Sequence, residues 1–287
     1  TDVLYHSWWA VFAVFLAHVP LGMLPHIGNK LWALKEPTQR MQFIRLAFVF
    51  ALILAMLGFG GIMARVILGE GIDSNQALAL LFIELFPSWF AALLGVGILA
   101  AVMSTADGLV VSSSQIVAND LYRLSFVPRY RKDLSEEEIE RRSLNISRIS
   151  TVVIMILCTL LAWQTLDMNV TILVWIGVGC MMAAFAGPLI LGSVWSGVTK
   201  AGAFAGLLTG GGVYIITYLG VINPEWFGPG SLKDIALWLQ RESPNPYSCA
   251  AMGEIASIAV TVVVSKLTAP YPKEHIDALF GKSVPTD

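Results

Sequence analysis

The run from Ala100 to Arg123, AAVMSTADGLVVSSSQIVANDLYR, sets Ser104, Thr105 and Asp107 inside a small, apolar segment. A carboxylate at membrane depth is costly and marks a functional position by default. Projected at about 100° per residue, Ala101, Ser104, Thr105, Gly108, Ser112, Gln115 and Asn119 form one stripe. Val102, Met103, Leu109 and Val110 lie outside it, and Asp107 sits off it by about a third of a turn, near Ser114. Two readings compete. Small residues let helices approach, and Ser or Thr bonds back to the carbonyl one turn earlier. Alternatively, the Ser104 and Thr105 hydroxyls with the Ala101 carbonyl offer a hard cation such as Na⁺ several oxygens. Ser104 and Thr105 fall near the middle of their segment, the depth at which transporter ion sites lie.

A second locus is AHVPLGMLPHIGNK, which puts Pro20, Gly22, Pro25 and Gly28 inside an apolar segment. Pro removes a donor and clashes with the preceding turn, and Gly weakens a helix, so this spacing predicts a broken helix. Irregular backbone at membrane depth survives where it is buried or lines a cavity. His18 and His26 flank the break as packing residues or ligands; with no Cys or carboxylate at ligand spacing they make no metal site. Cys158, Cys180 and Cys249 form neither a disulfide framework nor a metal motif and read as small apolar packing residues. The chain has no H-E-x-x-H, G-x-S-x-G or P-loop motif, which argues against an enzyme.

The elements that must hold these residues are membrane helices. The chain of 287 residues is 56% hydrophobic and only 13% charged, about half the charge of a soluble domain. Its mean hydropathy is +0.71. Seven segments suit a span of about 20 apolar residues: Trp8–Ile27, Phe43–Leu68, Trp89–Val117, Ser150–Leu166, Val170–Trp195, Ala201–Leu219 and the short Ala250–Val264. None alternates with period two, so a barrel is not expected. Fifteen Lys and Arg fall in or beside one set of connections and three, Arg65, Lys233 and Arg241, in the other. That bias predicts the N-terminus outside and the C-terminus in the cytoplasm. Ser135 to Glu138 reads as a capping box for a helix running through Arg148 into the fourth span. Leu78, Leu81, Phe82 and Leu85 make one amphipathic stretch, and Leu232, Ile235, Ala236 and Leu239 another; both are expected to lie on the protein or the interface. Gly202, Gly206 and Gly210 form a close-packing stripe. The start Thr1-Asp2-Val3 is not a signal peptide and reads as a piece cut from a longer protein.

GILAAVMSTADGLVVSSSQIVANDLYR resembles the signature helix of the sodium:solute symporter family. GMLPHIGNKLWALK, FAGPLILGSVWSGVTKAGAFAGLLTGG and VVVSKLTAPYPKEHIDALFG are similar to other parts of that family, and LPH with GPLILGSVW is most like its pantothenate-type branch. The resemblance implies an all-α integral membrane protein with a leucine-transporter-type fold: the second of two inverted repeats plus two extra helices, about seven in all. Residues 1–287 would form one transporter domain lacking its first repeat. The resemblance puts sodium on Ala101, Ser104 and Thr105, and puts Pro20, Gly22, Pro25 and His26 on the broken helix beside the substrate cavity. The family's aromatic gate would fall near Pro20 and Leu21 and is not carried over. Asp107, with no role assigned by the resemblance, is expected to be a buried hydrogen-bond partner or, second, a proton- or ion-path residue.

The expected function is sodium-coupled import of a small organic solute, pantothenate or another carboxylate, across the plasma (inner) membrane. Na⁺ is the coupling ion with no further cofactor, the lipid bilayer is the surrounding partner, and no nucleic acid is expected. The alternative is a transporter-fold sensor or scaffold without flux.

Overall fold

In the computed structural model all residues are described except 1, 25–26, 29–33, 35, 132 and 281–287. Among the described residues the chain is all-α. Six helices are long and apolar enough to cross a membrane: Thr38–Leu68, Ser88–Tyr130, Glu136–Gln164, Val170–Val194, Lys200–Tyr218 and Pro246–Leu267; Trp8–Gly22 is a shorter seventh. The chain is a multi-pass membrane protein. It divides into two compact units, one of Thr1–Leu24 with Thr171–Asp287 and the other of Pro25–Val170.

After a single helical turn at Asp2–Tyr5, the first unit continues with α1, Trp8–Ala17, capped by Ser7, whose Oγ accepts the Ala10 amide at 3.0 Å. α1 buries Ala10, Ala13 and Ala17 completely and leaves Trp8, Phe12 and Phe15 exposed. It ends at His18, and Val19–Met23 continues as a 3₁₀ turn around the buried Pro20. The α-helical spacing thus ends just before Pro20, several residues earlier than the Trp8–Ile27 segment suggests. Pro25 and His26 lie outside the described residues.

The unit's seam joins α8, Lys200–Tyr218, to α10, Pro246–Leu267. The glycine stripe lies in it. A Cβ at Gly202 would overlap the Ser265 hydroxyl, one at Gly206 the Thr261 hydroxyl, and one at Gly210 the Ala183 carbonyl oxygen. Close approach is thus what these glycines provide. α8 stops at Gly220, whose φ of 60° suits a residue without a Cβ. α7, Val170–Phe185, is followed by a π-helical turn over Ala186–Leu191. Pro188 has no amide to give the helix, and the Gly187 amide instead donates to Ser257 Oγ at 3.0 Å. α9, Ser231–Glu242, buries Ala236 but leaves Leu232 and Ile235 exposed, so the amphipathic stretch packs through less of its apolar face than its pattern suggests. α10 is longer than the Ala250–Val264 segment because Asn245 Oδ1 caps it, accepting the Tyr247 and Ser248 amides.

In the second unit, α2, Pro37–Ala55, and α3, Gly58–Leu68, are joined by a turn at Met56 and Leu57. α3 packs on α4, Ala77–Leu85, the first amphipathic stretch, where Leu81 is buried. α5, Ser88–Gln115, packs on α6, Glu136–Gln164. Ser135 Oγ accepts the Glu138 amide, starting α6 in the charged connection and carrying it into the span, as the capping box predicts. Asn75 Oδ1 accepts the Val170 amide at 3.1 Å and its Nδ2 donates to Met168 O at 3.4 Å, which closes this unit.

Of the cysteines, Cys249 is buried and Cys180 half-buried, while Cys158 on α6 is exposed.

Candidate functional site

α5 divides its polar stripe in two. In the second half Ser112 of the stripe is buried, and so is Ser114, which lies off the stripe and meets α6. Ser114 Oγ donates to Val111 O at 2.9 Å and accepts from Ser147 Oγ at 3.4 Å, while Thr151 Oγ1 donates to Ser147 O. Back-bonding and the contact with Ser147 account for the Ser114 hydroxyl. The stripe then loses its period. Over Ile116–Phe126 the helix widens to π spacing, and the Val127 amide reaches back five residues to Tyr122 O. Asn119 therefore does not continue the 100° projection, and the helix runs to Tyr130 rather than ending at Val117.

The first half is different. Ala101, Ser104 and Thr105 are exposed, as is Asp107. Ser104 follows the start of the helix by about 24 Å of rise, which is near mid-depth once the end at Trp89 is set in the interfacial layer. Thr105 Oγ1 donates to Ala101 O at 3.3 Å. That is the back-bond to the previous turn; it occupies the hydroxyl proton and leaves the Thr105 oxygen its lone pairs. Ser104 Oγ has no hydrogen-bond partner among the described residues and sits beside it. Asp107 is not the buried partner expected from the sequence.

The second locus lies in the other unit. Pro20 is buried and Gly22 exposed, with nothing within 4 Å of where a Gly22 Cβ would stand. Gly22 thus weakens the helix without serving a close contact. At the end of α1 His18 Nδ1 donates to Val14 O at 2.5 Å. Its ring centroid lies 4.5 Å from that of Trp175 and 6.0 Å from the stacked Tyr247, and Trp175 and Tyr247 are 4.3 Å apart.

Sequence reasoning had no signal for this aromatic group, since its members are far apart in the chain. It also missed two buried carboxylates. Glu242 bonds to His6 Nε2 at 2.8 Å. Glu254 on α10 is 2% exposed, and its Oε1 has no hydrogen-bond partner among the described residues. No group of three or more His, Cys, Asp or Glu that could hold a metal ion occurs among the described residues.

The family model for the sodium:solute symporter family matches residues 6–210, from α1 into α8. The chain is 27% identical over 203 residues to a sodium/pantothenate symporter of Haemophilus influenzae, covering 69% of this chain and 40% of that protein. It is 25% identical over 234 residues to the sodium/pantothenate symporter of Escherichia coli, covering 79% of this chain and 45% of that one. To a sodium/proline symporter of Staphylococcus aureus it is 29% identical over 194 residues, covering 66% and 34%. The chain thus spans less than half the length of these relatives. No solved structure matches it. With the polar stripe, the broken first helix and a family match over most of its length, the chain belongs to the sodium:solute symporter family.

Proposed function

We propose that this chain is the sodium-binding portion of a secondary active symporter that imports a small organic solute with Na⁺. The observation that carries the reading is the open triad on α5. Ala101 O, Ser104 Oγ and Thr105 Oγ1 lie within about one turn, and the only proton the triad commits to an internal bond is that of Thr105. A hard monovalent ion gains from such oxygens where water is scarce. Na⁺ binding favours the solute-competent state, and the inward gradient then drives import, because a ligand shifts a conformational equilibrium by its differential affinity.

The relatives are transporters of pantothenate or proline by name, and both solutes carry a carboxylate; the solute proposed here is pantothenate or another carboxylate. Pro20 and Gly22, with Pro25 and His26, would line its cavity on the broken helix. In this reading the two compact units serve one transporter domain with a leucine-transporter-type second repeat and two extra helices. The domain sits in the plasma (inner) membrane with the N-terminus of this chain outside, as its Lys and Arg distribution supports. Na⁺ is the coupling ion, no other cofactor takes part, and no bond is made or broken in the solute.

The test is solute uptake by the full-length protein in proteoliposomes. Ser104→Ala and Thr105→Ala are expected to raise the Na⁺ concentration for half-maximal uptake by about tenfold each, and Thr105→Ser to preserve it. Unchanged Na⁺ dependence in both alanine variants would remove the site. Solute binding without accumulation would replace symport with a sensor or scaffold.

A further inference from the structure

We infer that Glu242 is a positioning residue: it sets the register of α1 against α9 and α10, and thereby the place of the helix break. Its bearing on solute affinity rests on the symport reading; its bearing on register does not. The Glu242 side chain is fully buried, which is costly for a carboxylate unless both oxygens are engaged. Both are. Oε1 accepts from His6 Nε2 at 2.8 Å and Oε2 from Ser248 Oγ at 2.8 Å. Ser248 Oγ in turn accepts from Trp9 Nε1. The exposed Arg241 places its Nε 4.0 Å from Oε1, and the Cys249 thiol donates to the Glu242 backbone carbonyl.

Two further ties reach the same end of α1. The Trp9 ring stands edge-on to Trp238 at 5.6 Å, and Asn245 Nδ2 donates to Leu4 O at 3.4 Å. Residues 4–9 are thereby fastened at four points to the stretch Trp238–Ser248.

The remainder of the α1 contact explains why these ties set register. α1 packs on α10 with a face of three fully buried alanines, Ala10, Ala13 and Ala17. Methyl groups interlock shallowly, so such a face permits close approach but resists sliding or rotation weakly. Hydrogen bonds to a buried carboxylate are short and directional and do resist it. At the far end of the same helix, His18 lies against Trp175 and Tyr247. A slip of α1 by one residue, about 1.5 Å, would carry the break with it. Rearrangement at the break is therefore taken up by residues 18–24, while the half before it stays with α9 and α10.

The test uses the full-length protein in liposomes, with Cys158 and Cys180 replaced by serine and spin labels at the exposed Trp8 and Leu232. Double electron–electron resonance then reports the α1–α9 distance. Glu242→Gln is expected to keep a single narrow distance, because its amide oxygen still accepts from Ser248 and its N–H donates to His6 Nε2 once the neutral ring carries its proton on Nδ1 instead. Glu242→Ala is expected to broaden and shift the distance, and Ser248→Ala, which leaves His6 in place, to do so less. In solute uptake the two alanine variants are expected to raise the half-saturating solute concentration by about fivefold with little change in maximal rate, and Glu242→Gln to restore it. A wild-type distance distribution in both alanine variants would overturn the positioning role, as would a fall in maximal rate with the distance unchanged. Absence of Na⁺-driven uptake by the wild-type protein would overturn symport and leave the distance comparison to decide the register.

Discussion

Gly210→Ala offers a sharp test of how α8 packs on α7 and α10. A Cβ at this position would overlap the Ala183 carbonyl oxygen and lie 2.8 Å from both the Ala183 carbonyl carbon and Ser257 Cβ. The first two are backbone, so no side chain can rotate away and the helices must separate. Overpacking of this kind costs up to about 3 kcal/mol, and Gly→Ala in a helix returns about 1 kcal/mol, so a net loss of about 2 kcal/mol is expected. Gly206→Ala meets a rotatable Thr261 hydroxyl first and the Ser257 carbonyl oxygen at 2.9 Å, and should cost less. Gly211→Ala would place its Cβ 3.5 Å from Ala184 Cβ, an ordinary contact, and Gly212→Ala has nothing within 4 Å. These two keep the propensity gain and should be neutral or stabilising. Thermal denaturation in detergent, followed by fluorescence-detected size exclusion, should rank the four in that order. Gly210→Ala should fall below wild type by about 5 °C. If Gly210→Ala proved as stable as Gly212→Ala, the close approach of α8 to α7 and α10 would be wrong.

Ser257→Ala removes the acceptor for the buried Gly187 amide and the donor to Ala184 O, and should cost about 1–3 kcal/mol in the same assay. Ser135→Ala removes the α6 cap and should cost about 1 kcal/mol, seen as faster hydrogen exchange confined to the first turn after Ser135. Asn75→Ala frees the Val170 amide and should speed exchange at residues 168–170, leaving the exchange of α6 unchanged. Neutralising the exposed Arg65–Glu70 pair with Glu70→Gln should leave the melting temperature unchanged, because both side chains are already in solvent.

Some of this was legible from spacing. The four-residue period of Gly202, Gly206 and Gly210 is a property of one helix, and so is the two-sided character of α5. Pro20 acts on its own backbone, so the break in the first helix is visible in the chain, although its exact start is not. The same locality explains the misses. Asn119 was placed by a constant 100° step, but the α5 hydrogen bonds widen after Gln115. Ser112 and Thr105 look equivalent in the stripe, yet one is buried and the other is open.

Composition and periodicity settle the solvent and the secondary structure, because each depends on neighbours within a few turns. A chain so poor in charge must satisfy its backbone internally, and helices of span length do so. What a hydroxyl or carboxylate then does depends on what stands opposite it. Glu242 looks like the charged end of an amphipathic helix until folding brings His6, 236 residues away, to its carboxylate. Ser257 and Thr261 become the partners of the glycine stripe only because α10 lies along α8. Contacts across such separations follow from packing geometry, which no local pattern encodes.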